Sequence, residues 1–549
     1  MEASSKVLDH LGLVSATANN LSLVSLIDEC LPLSKNAKTT YGQRVLAMIL
    51  NGLGFIDDRL YLFPKFLANK PVDKLLGPGL LAEDFNDDAL GRALDAIFAY
   101  GPQKLFSHIA LSIALKYNLI GKSVHLDTTT LSVYGTDYDN HLDSSLSSDA
   151  QVPFPTYGYA KNKRFDLKQM TLLLATTGSA HFPVWMEAHS GNASDSKTLD
   201  AAASRLQQFC KALKEVPDLL YVADASFYPK CVEQGDHLLW LTRVPSTIQD
   251  CKTLLHRSDI PWIPLEGGYQ IYPTIVTYKK VKQRWFLIYS QQAYDREIIT
   301  LNHRIKKEGI DLQKQLVRLS YEQFGCQKDI DKSVKQLSKT IKYHKIDYTT
   351  KQVHQYKCKG RPSKDTQPLA TVYQVVPVFS RNEVSITQAS RTKGRFVLAT
   401  NQWDIQSLPN QEVLSTYKEQ AGTEAGFKFI KDNTFEVDSI FLKKPGRINA
   451  LMMIMTLCLM TYSFAQYFLR QQLITTDTTV TTQSGKQTKK PTMKWIYRLF
   501  HGIHLLDMNI DGVAIRKVLN IDAFRSRIIR YFGPMACSIY EISDEKIAI

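Results

Sequence analysis

The sequence is poor in the features that mark several protein classes. Its eight cysteines stand at positions 30, 210, 231, 251, 326, 358, 458 and 537, and no two form a Cys-x-x-Cys pair. Zinc-finger ligation is therefore not suggested. Their scatter fits a reducing compartment, where cysteines behave as small apolar residues. The first residues, MEASSKVLDHLGLVSA, carry acidic side chains and no long apolar core, so they do not read as a signal peptide. Acidic charge is in deficit: 53 Asp and Glu against 67 Lys and Arg leave a net charge of +14. That balance favours an anionic partner, nucleic acid or an acidic membrane surface, although a basic protein with no polyanion partner has the same composition. Long apolar runs are confined to Ile448–Leu469, which also holds Asn449, Thr456, Thr461, Ser463 and Gln466. The run is long enough for a membrane helix. A helix buried on all sides of a large core gives the same signal and is the reading preferred here.

What is present is a globular composition, with 44% hydrophobic and 22% charged residues over 549 positions. That length predicts two to four domains. Residues 1–118 have helix-spaced apolar positions in Tyr41–Phe55 and Ala89–Leu105, broken between them by Pro64, Pro71 and Pro78. A helical N-terminal domain for DNA-end binding or dimerisation is expected. Residues 119–261 change texture. Ser123–Val133, Leu167–Thr176, Pro183–Ala188, Leu219–Asp224 and His237–Arg243 read as strands, with an amphipathic helix at Ser196–Leu213. That order predicts the first part of an α/β core.

Residues 262–395 read as an insertion. Edge strands are expected at Tyr269–Tyr278 and Arg284–Tyr289, a long helical pair at Asp295–Lys345 with a break near Gly325, and further strands at Thr371–Val378 and Gly394–Thr400. Residues 279–364 hold 21 lysines and arginines against 8 acidic residues, a net of +13 that is nearly the whole surplus of the chain. A basic helical pair is often a solvated face; a surplus so concentrated fits a phosphate-binding surface equally well. Trp262 and Trp285 in this segment are expected in the core, with wedging into a base step as the other reading. Residues 396–475 return to the core, with a helix at Ser407–Lys431, and 476–549 form a basic C-terminal region, with the C-terminal part of the chain expected to be helical.

Asp127 sits directly after the apolar strand residues Val124 and Leu126 and before the run Thr128-Thr129-Thr130, and Asp224 ends the strand that begins at Leu219. A carboxylate at a strand end of an α/β core lies in the crevice where ligands bind. Taken singly, such an aspartate is more often a turn former or cap. Tyr417, Gln420, Glu424 and Lys431 are spaced to share one helical face; alone, that stripe reads as a charged outer surface. Convergence of three carboxylates is what phosphodiester chemistry needs, because two hard divalent ions require several negative oxygen ligands.

With these pieces in place, the sequence resembles the DDE transposases of bacterial insertion sequences, within the IS-four superfamily and its sixteen-thirty-four branch. The likeness rests on HLDTTTLSVYG around Asp127, YGYAKNKRFDLKQ at 157–169, SGNASDSKTL at 190–199, YVADASFYP around Asp224, LTRVP at 241–245, and the segment Tyr417–Lys431. It implies an RNase H-like catalytic core with an inserted basic domain. The implied catalytic and metal-binding residues are Asp127, Asp224 and Glu424, holding two Mg2+ or Mn2+ ions. DNA contacts are implied for Tyr417, Gln420 and Lys431 and expected for Lys161, Lys163 and Arg164, with a basic turn as the plainer reading of the last three. The family motif has arginine where this chain has Gln420, which lacks the bidentate phosphate fork. Asn192 and Asp195 fit a family segment too, but they are read as helix caps.

The implied activity is cut-and-paste transposition, by hydrolysis at terminal inverted repeats and joining to target DNA. A nuclease without strand transfer on the same core is the alternative. The expected partners are double-stranded DNA and a second copy of the chain, with no membrane, in a bacterial cytoplasm at the nucleoid.

Overall fold

Helix-spaced apolar residues dominate the first 116 positions, and the computed structural model folds them accordingly. The structure describes residues 2–33, 37–54, 63–133, 152–159, 164–213, 218–234, 237–357, 367–431, 442–510 and 513–543. It divides into two units, one comprising 1–242 with 412–549 and the other 243–411. A short strand, β1 (Glu2–Val7), precedes helices α1 (Leu11–Asn20), α2 (Leu23–Cys30), α3 (Tyr41–Gly52), α4 (Phe63–Ala68), α5 (Val72–Leu75), α6 (Asp87–Tyr100) and α7 (Pro102–Lys116). The start of α3 is a capping box. Gln43 N donates to Thr40 Oγ1 at 3.1 Å, and Thr40 N donates to Gln43 Oε1 at 2.9 Å. The helix expected over Ala89–Leu105 is two helices. Gly101, at φ +100°, ends α6, and Pro102 starts α7.

His10 is buried in this region. One ring nitrogen lies 2.7 Å from the Leu53 carbonyl, and the ring stacks on Tyr497 at 4.3 Å. Burial pushes its pKa from 6.5 down to about 4, against the Leu53 hydrogen bond. The folded-state value lies below the unfolded one, so the neutral ring is favoured by folding. Stability from this group is complete above pH 6.5 and falls as pH drops toward about 4, by about 3 kcal/mol in all. Urea titrations across that window are expected to show the loss in the wild type and a flatter profile in His10→Leu.

The next segment builds the sheet of the first unit: β2 (Ser123–Val133), β3 (Lys168–Thr177), β4 (Phe182–Ser190), β5 (Leu220–Ala223) and β6 (Trp240–Arg243), with α8 (Asp195–Leu213) and α9 (Tyr228–Gln234) between strands. The strand order is β4-β3-β2-β5-β6. β4, β3 and β2 form an antiparallel meander, and β5 and β6 add parallel to β2. Glu187, buried on β4, accepts from Trp185 Nε1 at 2.9 Å and from Arg205 Nε at 2.9 Å and Nη2 at 2.5 Å, which ties α8 to the sheet edge. Burial by itself raises its pKa, but the hydrogen bonds from His189, Arg205 and Trp185 outweigh it and hold the carboxyl below its usual range. Glu187→Gln leaves Arg205 facing a neutral partner, so it is expected to destabilise the first unit by about 3 kcal/mol in thermal unfolding.

The second unit contains α10 (Gln249–His256), β7 (Ile263–Leu265), β8 (Tyr269–Tyr278), β9 (Val281–Ser290), α11 (Gln291–Tyr321), α12 (Gln327–Ser338), β10 (His344–Gln355), β11 (Ala370–Arg381), α13 (Glu383–Arg391) and β12 (Arg395–Thr400). The expected edge strand around Arg284 is an interior one. β9 lies between β12 and β8, and its Trp285, Phe286, Leu287 and Ile288 are all buried. Trp285 is thus a core residue, whereas Trp262 is half-buried under the Arg395 guanidinium. The helical pair ends earlier than the apolar spacing predicted. From His344 the chain runs as β10, paired antiparallel with β11 from His344↔Arg381 to Gln355↔Ala370. Leu312, Leu316 and Leu319 of α11, Ile330 and Val334 of α12, and Val375 of β11 form one buried cluster.

The chain then returns to the first unit with α14 (Val413–Lys418), α15 (Ala421–Ile430) and α16 (Pro445–Thr475). The single helix expected over Ser407–Lys431 starts late and is interrupted at Glu419 and Gln420. α16 has a mean hydropathy of 1.7 over its most apolar stretch, and 83% of that stretch is buried inside the protein. It packs against α1, α3, α6, α7, β4 and α15, so it serves as the core helix of this unit. After it come the hairpin β13 (Val480–Thr481) and β14 (Gln487–Thr488), then α17 (Met493–Leu499), β15 (His504–Ile510), β16 (Val513–Leu519), α18 (Ala523–Tyr531) and α19 (Pro534–Tyr540). β15 lies between β1 and β16, with Glu2 opposite Asn509 and Val7 opposite His504. Tyr540 Oη donates to the Asp9 carbonyl at 2.6 Å. The two ends of the sequence therefore share one sheet, a pairing that no local pattern announces.

Candidate active site

β2 is buried along almost its whole length, and Asp127 is its one charged residue. An aspartate is costly in such a strand unless its carboxylate is solvated or bonded. Asp127 is half-buried, and its Oδ1 accepts from Thr128 N at 2.7 Å. The parallel pairing with β5 runs Ser123↔Leu220, Val124↔Tyr221 and His125↔Val222. Carried two residues further on each strand, that register sets Asp127 level with Asp224. Asp224 is exposed just past the end of β5. Its backbone is fixed by Thr242 Oγ1 of β6, which donates to its carbonyl at 2.6 Å. Its Oδ1 accepts from Ser226 N at 2.9 Å and Ser226 Oγ at 2.6 Å.

Glu424 reaches the same strand by way of α15. Thr423 is fully buried. Its hydroxyl lies 2.6 Å from Thr176 Oγ1 of β3 and 3.3 Å from the His125 carbonyl of β2. Gln420 is buried too, and its Nε2 donates to the Leu126 carbonyl at the long limit of 3.5 Å. The helix is thus held on the two β2 residues that precede Asp127, with Glu424 in its first turn and exposed to solvent. A carboxylate there also meets the positive end of the helix dipole.

Two glycines let the helix approach. A Cβ at Gly422 would overlap the His181 imidazole, and one at Gly426 would stand 3.0 Å from Leu459 Cδ2 of α16. Beneath this end of α15, the buried His125 Nε2 lies 3.0 Å from Ser123 Oγ and 3.4 Å from Glu419 Oε2. The His125 hydrogen bond holds Glu419 below its usual range, and burial lowers His181.

The stripe expected on one helical face is therefore split in its surroundings. Gln420 packs inward against β2, Tyr417 and Lys431 are half-buried, and Glu424 is outside. Arg164 is exposed and forks onto Asp166, with Nε–Oδ1 at 2.8 Å and Nη2–Oδ2 at 2.7 Å, which drives the Asp166 pKa down to about 2. Lys161 and Lys163 lie outside the described residues. Asn192 is exposed, and α8 begins at Asp195. Sequence reading missed Gly422, Thr423 and His181. The run Ala421-Gly422-Thr423 held the available signal, since small residues in succession permit close helix-to-sheet approach.

The donor set suits a particular class of ion. Asp127, Asp224 and Glu424 offer only carboxylate oxygens, which fit hard cations such as Mg2+ or Mn2+ and not soft ones. Among the described residues, no three His, Cys, Asp or Glu side chains are already drawn to ligand distance of one another.

Residues 124–461 match the model of the transposase DDE domain. The chain belongs to that family. The matched segment begins in β2, three residues before Asp127, and ends inside α16, so all three carboxylates of the transposase fall within it. Residues 3–111 of the transposase match a domain of unknown function, DUF4277. No curated protein matches the chain. Among solved structures it is similar to a piggyBac transposase synaptic complex with hairpin DNA seen by cryo-EM. The identity is 10% and the TM-score 0.36, over 91% of this chain and 82% of that one.

Proposed function

We propose that this transposase binds the terminal inverted repeats of an insertion sequence, cleaves each end by metal-dependent hydrolysis and joins the freed 3′ ends to target DNA. The observation that carries this reading is the common height that the β2–β5 register gives Asp127 and Asp224, together with the bonds from Thr423 and Gln420, which flank Glu424 on its helix, to the β2 carbonyls just before Asp127. The strand order β4-β3-β2-β5-β6, antiparallel and then parallel, supports an RNase H-like core. The unit 243–411 lies in sequence between Asp224 and Glu424, which supports the reading of it as an inserted basic domain. We assign the source to the sixteen-thirty-four branch of the IS-four superfamily on the motifs quoted above.

Asp127, Asp224 and Glu424 would hold two Mg2+ or Mn2+ ions, which supply nucleophile activation and charge neutralisation when bound. The chain's own contribution is placement. β2 and β5 fix two carboxylates, and α15 fixes the third against the same strand. Ser226 and Thr242 hold Asp224 from moving, and positioning of this kind carries much of the rate. Tyr417 and Lys431 flank Glu424 and are assigned to the cleaved strand. Gln420 is turned into the protein, so its amide serves the seat of α15. A dimer on DNA follows from the need to hold two ends.

Precleaved inverted-repeat ends incubated with plasmid target and Mg2+ or Mn2+ test the proposal. Covalently joined products are expected. Cleavage of intact ends without any joining would make the protein a nuclease on this core.

A further inference from the structure

The helices of the second unit carry charge in an arrangement that folding does not require. On α11 the buried Leu301, Ile305, Leu312, Leu316 and Leu319 define the core face. Arg296, His303, Lys307, Lys314 and Arg318 follow at intervals of seven, four, seven and four residues. That spacing sets them on one stripe opposite the core face, and every one is exposed. On α12 the core residues are Ile330 and Val334. Lys328, Lys332, Lys335 and, at the C-cap, Lys339 follow at four, three and four, again exposed and opposite the core. Like charges three and four residues apart repel on a helix, and these lysines stand off the core face, so packing does not call for them.

The acidic residues nearby do not offset them. Glu308 accepts from Lys342 N, Tyr343 N and His344 Nδ1, and so caps the turn into β10. Asp331 accepts from the Tyr348 hydroxyl and Gln327 Nε2. Glu297 pairs with Lys393 of α13. Among the described residues, no ion pair engages Arg296, Lys307, Lys314, Arg318, Lys328, Lys332, Lys335 or Lys339. Asp311, four residues after Lys307 and three before Lys314, and Asp329, three before Lys332, are also within reach of these stripes, yet basic residues predominate on both.

We propose that α11 and α12 form a duplex-DNA backbone surface separate from the carboxylate site, binding without sequence preference. The α11 stripe spans about 33 Å from Arg296 to Arg318, close to one turn of B-DNA. Single charges repeated along an exposed line suit a repeating polyanion and repel a second copy of the same face. The inference rests on the transposase reading, because it takes DNA as the polyanion.

The test uses the full-length protein and a 30-base-pair duplex lacking any inverted repeat, with affinity measured as a function of salt. Lys328→Gln, Lys332→Gln, Lys335→Gln and Lys339→Gln combined should lower the slope of log affinity against log salt by about 3 to 4. Lys307→Gln, Lys314→Gln and Arg318→Gln combined should lower it by about 3. Circular dichroism should show both variants folded, since every substituted side chain is exposed. If the wild type cleaves transposon ends but both stripe variants keep the wild-type slope, this surface is overturned while the transposase reading stands. If the stripes govern binding to phosphatidylserine vesicles and not the DNA slope, a membrane is the partner and the inference is overturned. If the wild type neither binds duplex DNA nor cleaves ends, the underlying reading fails with it.

Discussion

Glu424→Gln is expected to lower metal-dependent cleavage of transposon-end DNA about a thousandfold, or about 4 kcal/mol of transition-state stabilisation, with melting temperature unchanged. The amide keeps the size of the side chain but loses the charge that a divalent ion needs. Glu424 is exposed, whereas α15 is seated by buried residues that include Gln420, Gly422, Thr423, Gly426, Phe427, Phe429 and Ile430. Loss of activity can therefore be separated from loss of fold. Binding to end DNA should persist, because the substitution removes no cation. Asp127→Asn and Asp224→Asn are expected to behave alike in cleavage. A Glu424→Gln protein that cleaves at the wild-type rate would remove Glu424 from the site.

Gly422→Ala is expected to cost about a hundredfold in the same assay without touching any carboxylate. The added methyl would overlap His181, and His181 itself sits at φ +46° on the turn between β3 and β4. The helix must rise from β2, which carries Glu424 away from Asp127. A displacement of about 1 Å is enough for a loss of this size. Shortening the obstacle should reverse it. Gly422→Ala with His181→Ala is expected to return cleavage to within about tenfold of wild type, whereas His181→Ala alone should have little effect. A double variant as poor as Gly422→Ala would place the defect elsewhere than in this contact. The His10 and Glu187 variants described above probe stability in the same unit and should leave the carboxylate geometry intact.

The strands that carry the aspartates were legible because burial writes itself into composition. Ser123–Val133 is β-branched and apolar around a single aspartate, and its boundaries are the same in the structure. The 97-residue interval from Asp127 to Asp224 is also the register offset of β2 and β5, as in Ser123↔Leu220, but only the pairing reveals that the two residues stand level. Other features depend on partners distant in sequence. Arg284–Tyr289, expected as an edge strand, is interior because β12 pairs with β9 on the side away from β8. The expected helical pair overran two residues into β10, to Lys345, because Val334, Leu337 and Ile341 continue a helical spacing up to the turn that Glu308 caps. The α15 seat was hidden since Gln420 looked like a weakened arginine on a charged face. Its amide bonds the Leu126 carbonyl, a contact 294 positions away. The sheet joining β1 to β15 has no local signal at all.

The claim that Asp127, Asp224 and Glu424 surround bound divalent metal is tested most directly by substituting Fe2+ for Mg2+ in the protein bound to end DNA and generating hydroxyl radicals with ascorbate. The structure predicts chain scission clustered near residues 127, 224 and 424, suppressed by excess Mg2+. Scission absent from those three positions, or clustered elsewhere, would contradict it.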